Sequence, residues 1–332
     1  MVISIDRGLH WAILILTAVL PRGWRVRARF KLLQKLQLRL LRQASIVMVR
    51  HPKTGGTWLR TMLTHLYAQR YGLSVKRVFK SDELWRQNRQ LPRWAITNGS
   101  ASWEKIVGQL VQADDAMLAG KKFLFVARHP GDIVVSWYIQ YTKRTKAFKR
   151  ELLEWEAEHA IDREQISRDA FIRHPDFGLP WLIRYHNFWA EHLKDRPDAL
   201  IVRYEDLRQD TAATLRCIAD FIGEDFTAEE IKATIDFGDF NNMRKLESSN
   251  YFRNNSLKLR DPNDPEMRKV RRGQVGGYRS DLDNEMIEYI DRTIAEQLDP
   301  VFGYGDEVSS ESDVPGFVDR RISAEMGTSS TP

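Results

Sequence analysis

Between Ser45 and Tyr67 the chain reads SIVMVRHPKTGGTWLRTMLTHLY. The β-branched run Ile46 to Val49 is too short for a helix and predicts a buried strand. His51-Pro52-Lys53-Thr54-Gly55-Gly56-Thr57 forms a turn, and Trp58, Leu59, Met62, Leu63 and Leu66 then recur at helical spacing. A strand, a glycine turn and a helix start together make an anion site. Gly55 and Gly56 let backbone N–H groups approach an oxyanion closely. The helix start contributes partial positive charge and Lys53 a full one.

A second turn of the same kind follows about 75 residues later. Phe123 to Ala127 predicts another buried strand, and it runs into Arg128-His129-Pro130-Gly131-Asp132-Ile133-Val134-Val135-Ser136. Arg128 at the strand end suits bidentate capture of a phosphate. Asp132 is expected to cap the helix start, with Ser136 one turn further on to hydrogen-bond the same anion. Two strand–loop–helix units with apolar strands imply α/β architecture: one domain, a central parallel sheet flanked by helices, ligand at the strand carboxyl ends.

The first loop is not an ATP/GTP P-loop, because its lysine precedes both glycines. It resembles the 5′-phosphosulfate loop of sulfotransferases that use 3′-phosphoadenosine-5′-phosphosulfate (PAPS), through Pro52, Lys53, Thr54, Gly55, Thr57, Trp58 and Leu59, with Gly56 where Thr or Ser is more usual. Arg128, Asp132 and Ser136 resemble that family's 3′-phosphate motif. Three further stretches support the resemblance: Tyr204-Glu205-Asp206-Leu207, whose tyrosine lies by the adenine in the family; Phe240 to Arg244, where Phe240 and Met243 match residues that pack on the base; and Arg271-Arg272-Gly273, with Gly276, the closing loop over the 3′-phosphate. There Gly277 and Tyr278 replace an Asp-Trp pair. The resemblance implies a P-loop-like phosphosulfate-binding loop and an enzyme that moves a sulfuryl group from PAPS to a hydroxyl acceptor without a metal. Lys53 is its expected catalytic cation. Lys53, Thr54, Gly55, Gly56, Thr57, Trp58, Arg128, Ser136, Tyr204, Phe240, Met243, Arg271, Arg272 and Gly273 are its expected nucleotide contacts.

The sequence departs from the family at the proton acceptor. Asn98 stands where a basic histidine is expected, about 45 residues past the loop lysine, and an amide is no base near neutral pH. Glu83, beside Asp82, is the candidate base; the alternative is that both acids are surface or cap residues. A nucleotide-dependent phosphotransferase is a competing reading, opposed by the lack of a Gly-Lys-Ser/Thr sequence. A membrane-associated nucleotide-binding protein without catalysis is a third, raised by Asn98.

The elements that position these residues occupy 45–305, with an arm at 1–44 and a polar tail, expected to be disordered, at 306–332. The net charge of +6 is segregated: residues 1–81 hold sixteen Lys/Arg and one Asp, a balance of +15, which leaves −9 for the rest. That pattern argues against a general nucleic-acid coat and points to an anionic surface or ligand. Leu9 to Leu20 is apolar but shorter than the ~20 residues of a spanning helix. Lys31, Lys35, Arg39 and Arg42 form one stripe of a following helix, and Leu32, Leu33, Leu36 and Leu40 another. This is the pattern of interfacial membrane attachment; a helix packed on the domain, with its basic stripe solvated, and a cleaved targeting peptide are the alternatives. The acceptor classes this favours are lipid, glycolipid or polysaccharide. A single cysteine, Cys217, fits a reducing compartment, so the expected place is the cytoplasm, at the inner face of a membrane. Cys217 lies among Leu215, Ile218 and Phe221, as a small core residue would. Helices are expected over 105–118, 151–173, 181–193 and 211–222, and 148–180 is a candidate lid.

Overall fold

A computed structural model describes residues 5–99, 106–155, 157–253, 257–259, 261–271 and 273–305. Its centre is a sheet of four parallel strands, β1 (Ile46–Arg50), β2 (Trp94–Thr97), β3 (Lys122–Ala127) and β4 (Ala199–Arg203), in the order β2-β1-β3-β4. Ile46 pairs with both Trp94 and Lys122, and Phe123 with Ala199. Alternate side chains feed two cores, as the period of a strand requires. Val47, Val49, Phe123, Phe125 and Ile201 face one side, and Met48, Leu124, Val126, Leu200 and Val202 the other. Both faces are therefore buried, which is how near-continuous apolar runs become parallel strands. The strand order reverses between β1 and β3. In open α/β sheets that junction holds the ligand crevice, and both anion turns leave the sheet there.

The helices follow from their caps. In the N-terminal arm, α1 (Ile5–Leu16) and α2 (Arg22–Gln43) form a hairpin. After β1 come α3 (Gly56–Tyr71) and the short α4 (Glu83–Gln87); after β2, α5 (Ile106–Gln112); after β3, α6 (Pro130–Ile139), α7 (Ala147–Glu154), α8 (Arg168–Ile172) and α9 (Leu179–Leu193). Beyond β4 lie α10 (Tyr204–Gln209), α11 (Thr211–Ile222), α12 (Ala228–Gly238), α13 (Phe240–Ser248) and α14 (Asn284–Gln297). Thr227 and Glu230 make a reciprocal capping box at α12. Gly223 closes α11 at φ +82°, the left-handed stop expected of glycine.

Two expected helices are broken. The 105–118 stretch is helical only over Ile106–Gln112 among the described residues; Asp114 turns left-handed (φ +45°), and the Asp115 carboxylate accepts from Met117 N to start a short 3-10 turn. Acidic side chains that bond their own backbone compete with a helix ladder. The 151–173 stretch is α7 and α8 separated by irregular chain. Glu154 accepts from the Tyr141 hydroxyl at 2.8 Å as α7 ends, and Ser167 caps α8 through Ala170 N. Between them Ala157, Ile161 and Ile166 pack on Phe171 and Phe177 rather than forming one helical face.

The arm packs on the domain. Val26 and Leu33 are buried with Leu152 of α7, Arg25 and Arg29 both bind Glu151, and Gln37 Nε2 donates to Thr97 Oγ1 at the end of β2 (2.7 Å). Lys31, Lys35, Arg39 and Arg42 remain exposed, as do Ile15, Leu16, Val19 and Trp24. No helix among the described residues is long and apolar enough to cross a membrane. The 306–332 tail lies outside the described residues.

Candidate active site

The first anion loop is wound tightly. Lys53 sits at φ +85° and Gly55 at φ +78°, and α3 begins at Gly56. The buried Thr54 hydroxyl donates to His51 O (2.9 Å), closing the turn. Gly55 is required twice: its φ is left-handed, and a Cβ there would run into the Tyr204 ring. The Lys53 side chain is enclosed but opens on the central cavity. Burial first, then the charges of Arg144, Arg128 and Arg271, lower its pKa to about 7. A lysine so crowded by cations is a site that waits for an anion.

The second loop meets the first directly. Arg128 Nη1 donates to Lys53 O (3.2 Å), and Nη2 to Asp132 Oδ2 (2.9 Å) and Gln274 O (3.0 Å). Its guanidinium lies 4.4 Å from the Tyr204 ring centroid. Arg128 Nε is buried and has no hydrogen-bond partner among the described residues. An orphan donor of that kind fits a phosphate that the protein itself does not supply. Asp132 does not cap α6, contrary to expectation. His129 is the cap, through Gly131 N, because Pro130 at the first helical position sets the helix start three residues earlier than Asp132 would need. The Asp132 carboxylate instead accepts from Gly276 N and Tyr278 N and so ties the closing loop to α6.

The other expected contacts converge on the same place. One cavity of about 970 Å³ is lined by Lys53, Gly55, Gly56, Thr57, Trp58, Arg128, Ser136, Tyr204, Phe240, Met243, Arg271 and Gly273. Thr54 is buried just behind it. Trp58 meets Tyr204 edge-on at 5.8 Å and donates to Gly238 O (2.8 Å), forming an aromatic corner. Gly273, at φ +66°, leaves room for the Phe240 ring. Arg271 is held by Asp281 at 3.1 Å, whereas Arg272 lies outside the described residues. Glu83 and Asn98 also line the cavity, Glu83 accepting from Lys80 N (2.9 Å). Asp82 is bound to Arg86 at 2.8 Å.

Sequence reasoning missed several groups. Arg50, Arg60 and Lys269 also line the cavity, whereas Arg144, which lines it too, belongs to the basic run of Lys143, Arg144, Lys146, Lys149 and Arg150 that the sequence offers as an edge of the acceptor site. Burial, followed by the charges of Arg144, Arg60, Lys53 and Lys80, holds Lys269 well below the ordinary lysine range. The signal for Lys269 was the cationic run ending at Arg272. Tyr278, the replacement for the family tryptophan, stacks on His129 at 5.0 Å and donates to Asp291. It supports the loop and also lines the cavity.

Sheet order, crevice and twin cationic loops define a nucleotide-binding transferase of the α/β class. The sulfotransferase domain model matches residues 43–302, and the chain belongs to that family. It is thus a sulfotransferase with PAPS as the donor co-substrate. Rabbit (Oryctolagus cuniculus) amine sulfotransferase is 23% identical over 81% of this chain and 85% of its own. Cytosolic sulfotransferase 12 of Arabidopsis thaliana is 24% identical over 77% and 78%. A mouse sulfotransferase complexed with PAP shares the fold at a TM-score of 0.51 and 19% identity, covering 80% of this chain and 89% of its own.

Proposed function

We propose that this chain transfers the sulfuryl group of PAPS to a hydroxyl of a lipid or glycolipid, working from the cytoplasm while seated on an anionic membrane surface. One observation carries the acceptor class: the cavity that holds both anion loops is also lined by the arm, through Trp11 and Leu14 of α1 and Leu33, Leu36 and Leu40 of α2. A polysaccharide gains little from such a wall. The membrane reading rests on the exposed apolar residues of the same hairpin, Val19 at 87% and Leu16 at 74%, beside its exposed basic stripe.

In the reaction the sulfur–oxygen bond to the donor phosphate breaks as a bond to the acceptor oxygen forms. The acceptor proton leaves to a base, and the bridging electron pair stays with the phosphate. Lys53 and the N–H groups at the start of α3 stabilise charge on that leaving oxygen; donors aimed this way are each worth about 100- to 1000-fold. Arg128, Ser136, Arg271 and Arg272 hold the far phosphate, and Tyr204, Trp58, Phe240 and Met243 the base. Glu83 is proposed as proton acceptor, since it is a carboxylate in the cavity wall about 30 residues past the loop lysine. Residues 148–180 are proposed as the lid over the acceptor, because Phe148, Leu152, Leu153 and Phe177 line the cavity.

The test is transfer of labelled sulfate from PAPS to a lipid extract, with and without phosphatidylserine in the carrier vesicles. Label in a lipid fraction that rises with phosphatidylserine is expected. Label confined to water-soluble glycans, or unaffected by vesicle charge, refutes the acceptor or the membrane part respectively.

A further inference from the structure

Helix α1 is apolar on both sides. His10, Trp11 and Leu14 share the face that lines the cavity, while Leu9 and Leu16 lie across the helix from them and are exposed. A helix apolar all round needs a non-aqueous partner for its outer face. That face belongs to a larger patch. Nine large apolar side chains are exposed among the described residues, and seven of them fall between Leu9 and Leu32. Trp155 is an eighth beside them: its ring stands 3.9 Å from where a Cβ on Gly23 would be, and the Arg27 guanidinium lies 5.7 Å from its centroid. The patch centres on the turn at 17–20 and the two helix ends that meet there. Exposed apolar surface gathered in one place marks a partner rather than chance.

The chemistry of this tip suits a bilayer boundary. Its inward polar groups are already used: Arg29 donates to Leu14 O (3.2 Å) and Thr17 Oγ1 (2.9 Å), Arg25 donates to Leu20 O (3.2 Å), and both arginines bind Glu151. Turn carbonyls covered in this way do not meet hydrocarbon bare. The charges of the arm have one sign, since no acid occurs between Asp6 and Asp82, and Arg22 and Arg27 are exposed at the tip. Tryptophan beside arginine is the composition of a headgroup layer contact. A second copy of the chain would bring a like-charged arm to the same place. The cavity opens beside this patch. Trp11 lines it yet is 50% exposed, and Lys146, just before α7, lines it and is exposed too, its Nζ 5.9 Å from the Trp11 ring centroid. His10 and Phe148, 6.1 Å apart, make a second pair across the same gap.

We infer that the tip of the α1–α2 hairpin enters the headgroup boundary of the bilayer, and that the acceptor lipid passes from the bilayer into the cavity between α1 and α7 without crossing water. This rests on the membrane and lipid readings above and deepens them: the arm is both the anchor and one side of the port. The outer face of α1 meets the lipid layer, and its inner face meets the single lipid that has left it.

The test uses the full chain, vesicles of phosphatidylcholine and phosphatidylserine, and two acceptors with one head group: 1-oleoylglycerol, which stays in the bilayer, and 1-butyrylglycerol, which stays in solution. Leu16→Ser with Val19→Ser strips the tip without adding charge, and neither residue lines the cavity. The pair should weaken vesicle binding at least about tenfold, well within what two apolar side chains supply on burial, and lower transfer to vesicle-borne oleoylglycerol by the same factor. Butyrylglycerol turnover and PAP affinity should stay within about twofold of wild type, which verifies folding. With the wild type, the rate on oleoylglycerol should follow its mole fraction in the bilayer and not its bulk concentration. Vesicle binding that survives the serine pair but is lost in Lys31→Gln, Lys35→Gln, Arg39→Gln overturns insertion and leaves the membrane reading standing. A rate that follows bulk concentration overturns the port. A wild-type dimer that the serine pair turns into a monomer gives the patch to a second copy and overturns both. If the wild type binds no vesicles, or neither acylglycerol accepts sulfate, the membrane or the lipid reading falls and the inference with it.

Discussion

Lys53 titrates where experiments are done, and that makes its role measurable. Burial and the neighbouring Arg144, Arg128 and Arg271 lower it to about 7 in the free protein. A bound phosphosulfate or phosphate end places negative charge beside the ammonium and returns its pKa toward the ordinary range. Binding therefore takes up a proton once the pH exceeds about 7, and affinity for PAP must fall about tenfold per pH unit above that point. From pH 6 to pH 9 the expected loss approaches about 100-fold, or ~2.7 kcal/mol. The sign is fixed: the free form loses its charge on rising pH and the bound form keeps it. Titration calorimetry in buffers of differing ionisation enthalpy reads both the affinity and the proton uptake. Lys53→Arg, which stays charged throughout, should flatten the profile, and Lys53→Gln should be weak and flat. Wild-type affinity that is level between pH 7 and pH 9, with no proton uptake, would refute the placement of Lys53 against the anion.

Gly55→Ala should cost about 1–2 kcal/mol in backbone strain at φ +78° and displace the Tyr204 ring as well, so PAP affinity should drop by more than about tenfold in calorimetry; near wild-type binding would contradict the packing of Tyr204 on the loop. Glu83→Gln should lower kcat by roughly 100- to 10,000-fold, as loss of a positioned base does, with PAP affinity unchanged; a retained kcat assigns the proton to another group. Asp206→Ala leaves the buried Arg203 without the carboxylate it grips at both Nε and Nη2, and should destabilise the fold by about 3–5 kcal/mol in urea titration; a loss under about 1 kcal/mol would show that pair to be dispensable.

The local signals were legible because they are short-range chemistry. The β-branched run Ile46 to Val49 could be only a strand, and the glycines at 55 and 56 only a tight approach. Gly223 ended α11 where its left-handed preference said it would. What failed depended on competition the sequence does not rank. Asp114 turns left-handed and Asp115 bonds the backbone N–H of Met117, and together they break a helix that composition favoured. Asp132 lost the capping place to His129 and took the more distant task of holding Gly276 and Tyr278. The cations Arg144 and Lys269 are far apart in the chain, and only the fold brings them to Lys53. The arm shows the same limit: its stripes were readable, but its service as a wall of the reaction cavity depends on Gln37 meeting Thr97 and Leu33 meeting Leu152.

The central claim is that the loops of Lys53 and Arg128 grip opposite ends of one nucleotide. Calorimetric stoichiometry of PAP with the wild type, Lys53→Ala and Arg128→Ala tests it most directly. One molecule per chain, weakened at least about tenfold by either change through loss of a charge-assisted contact, is the expected result. Two independent sites, each abolished by only one of the substitutions, would contradict it.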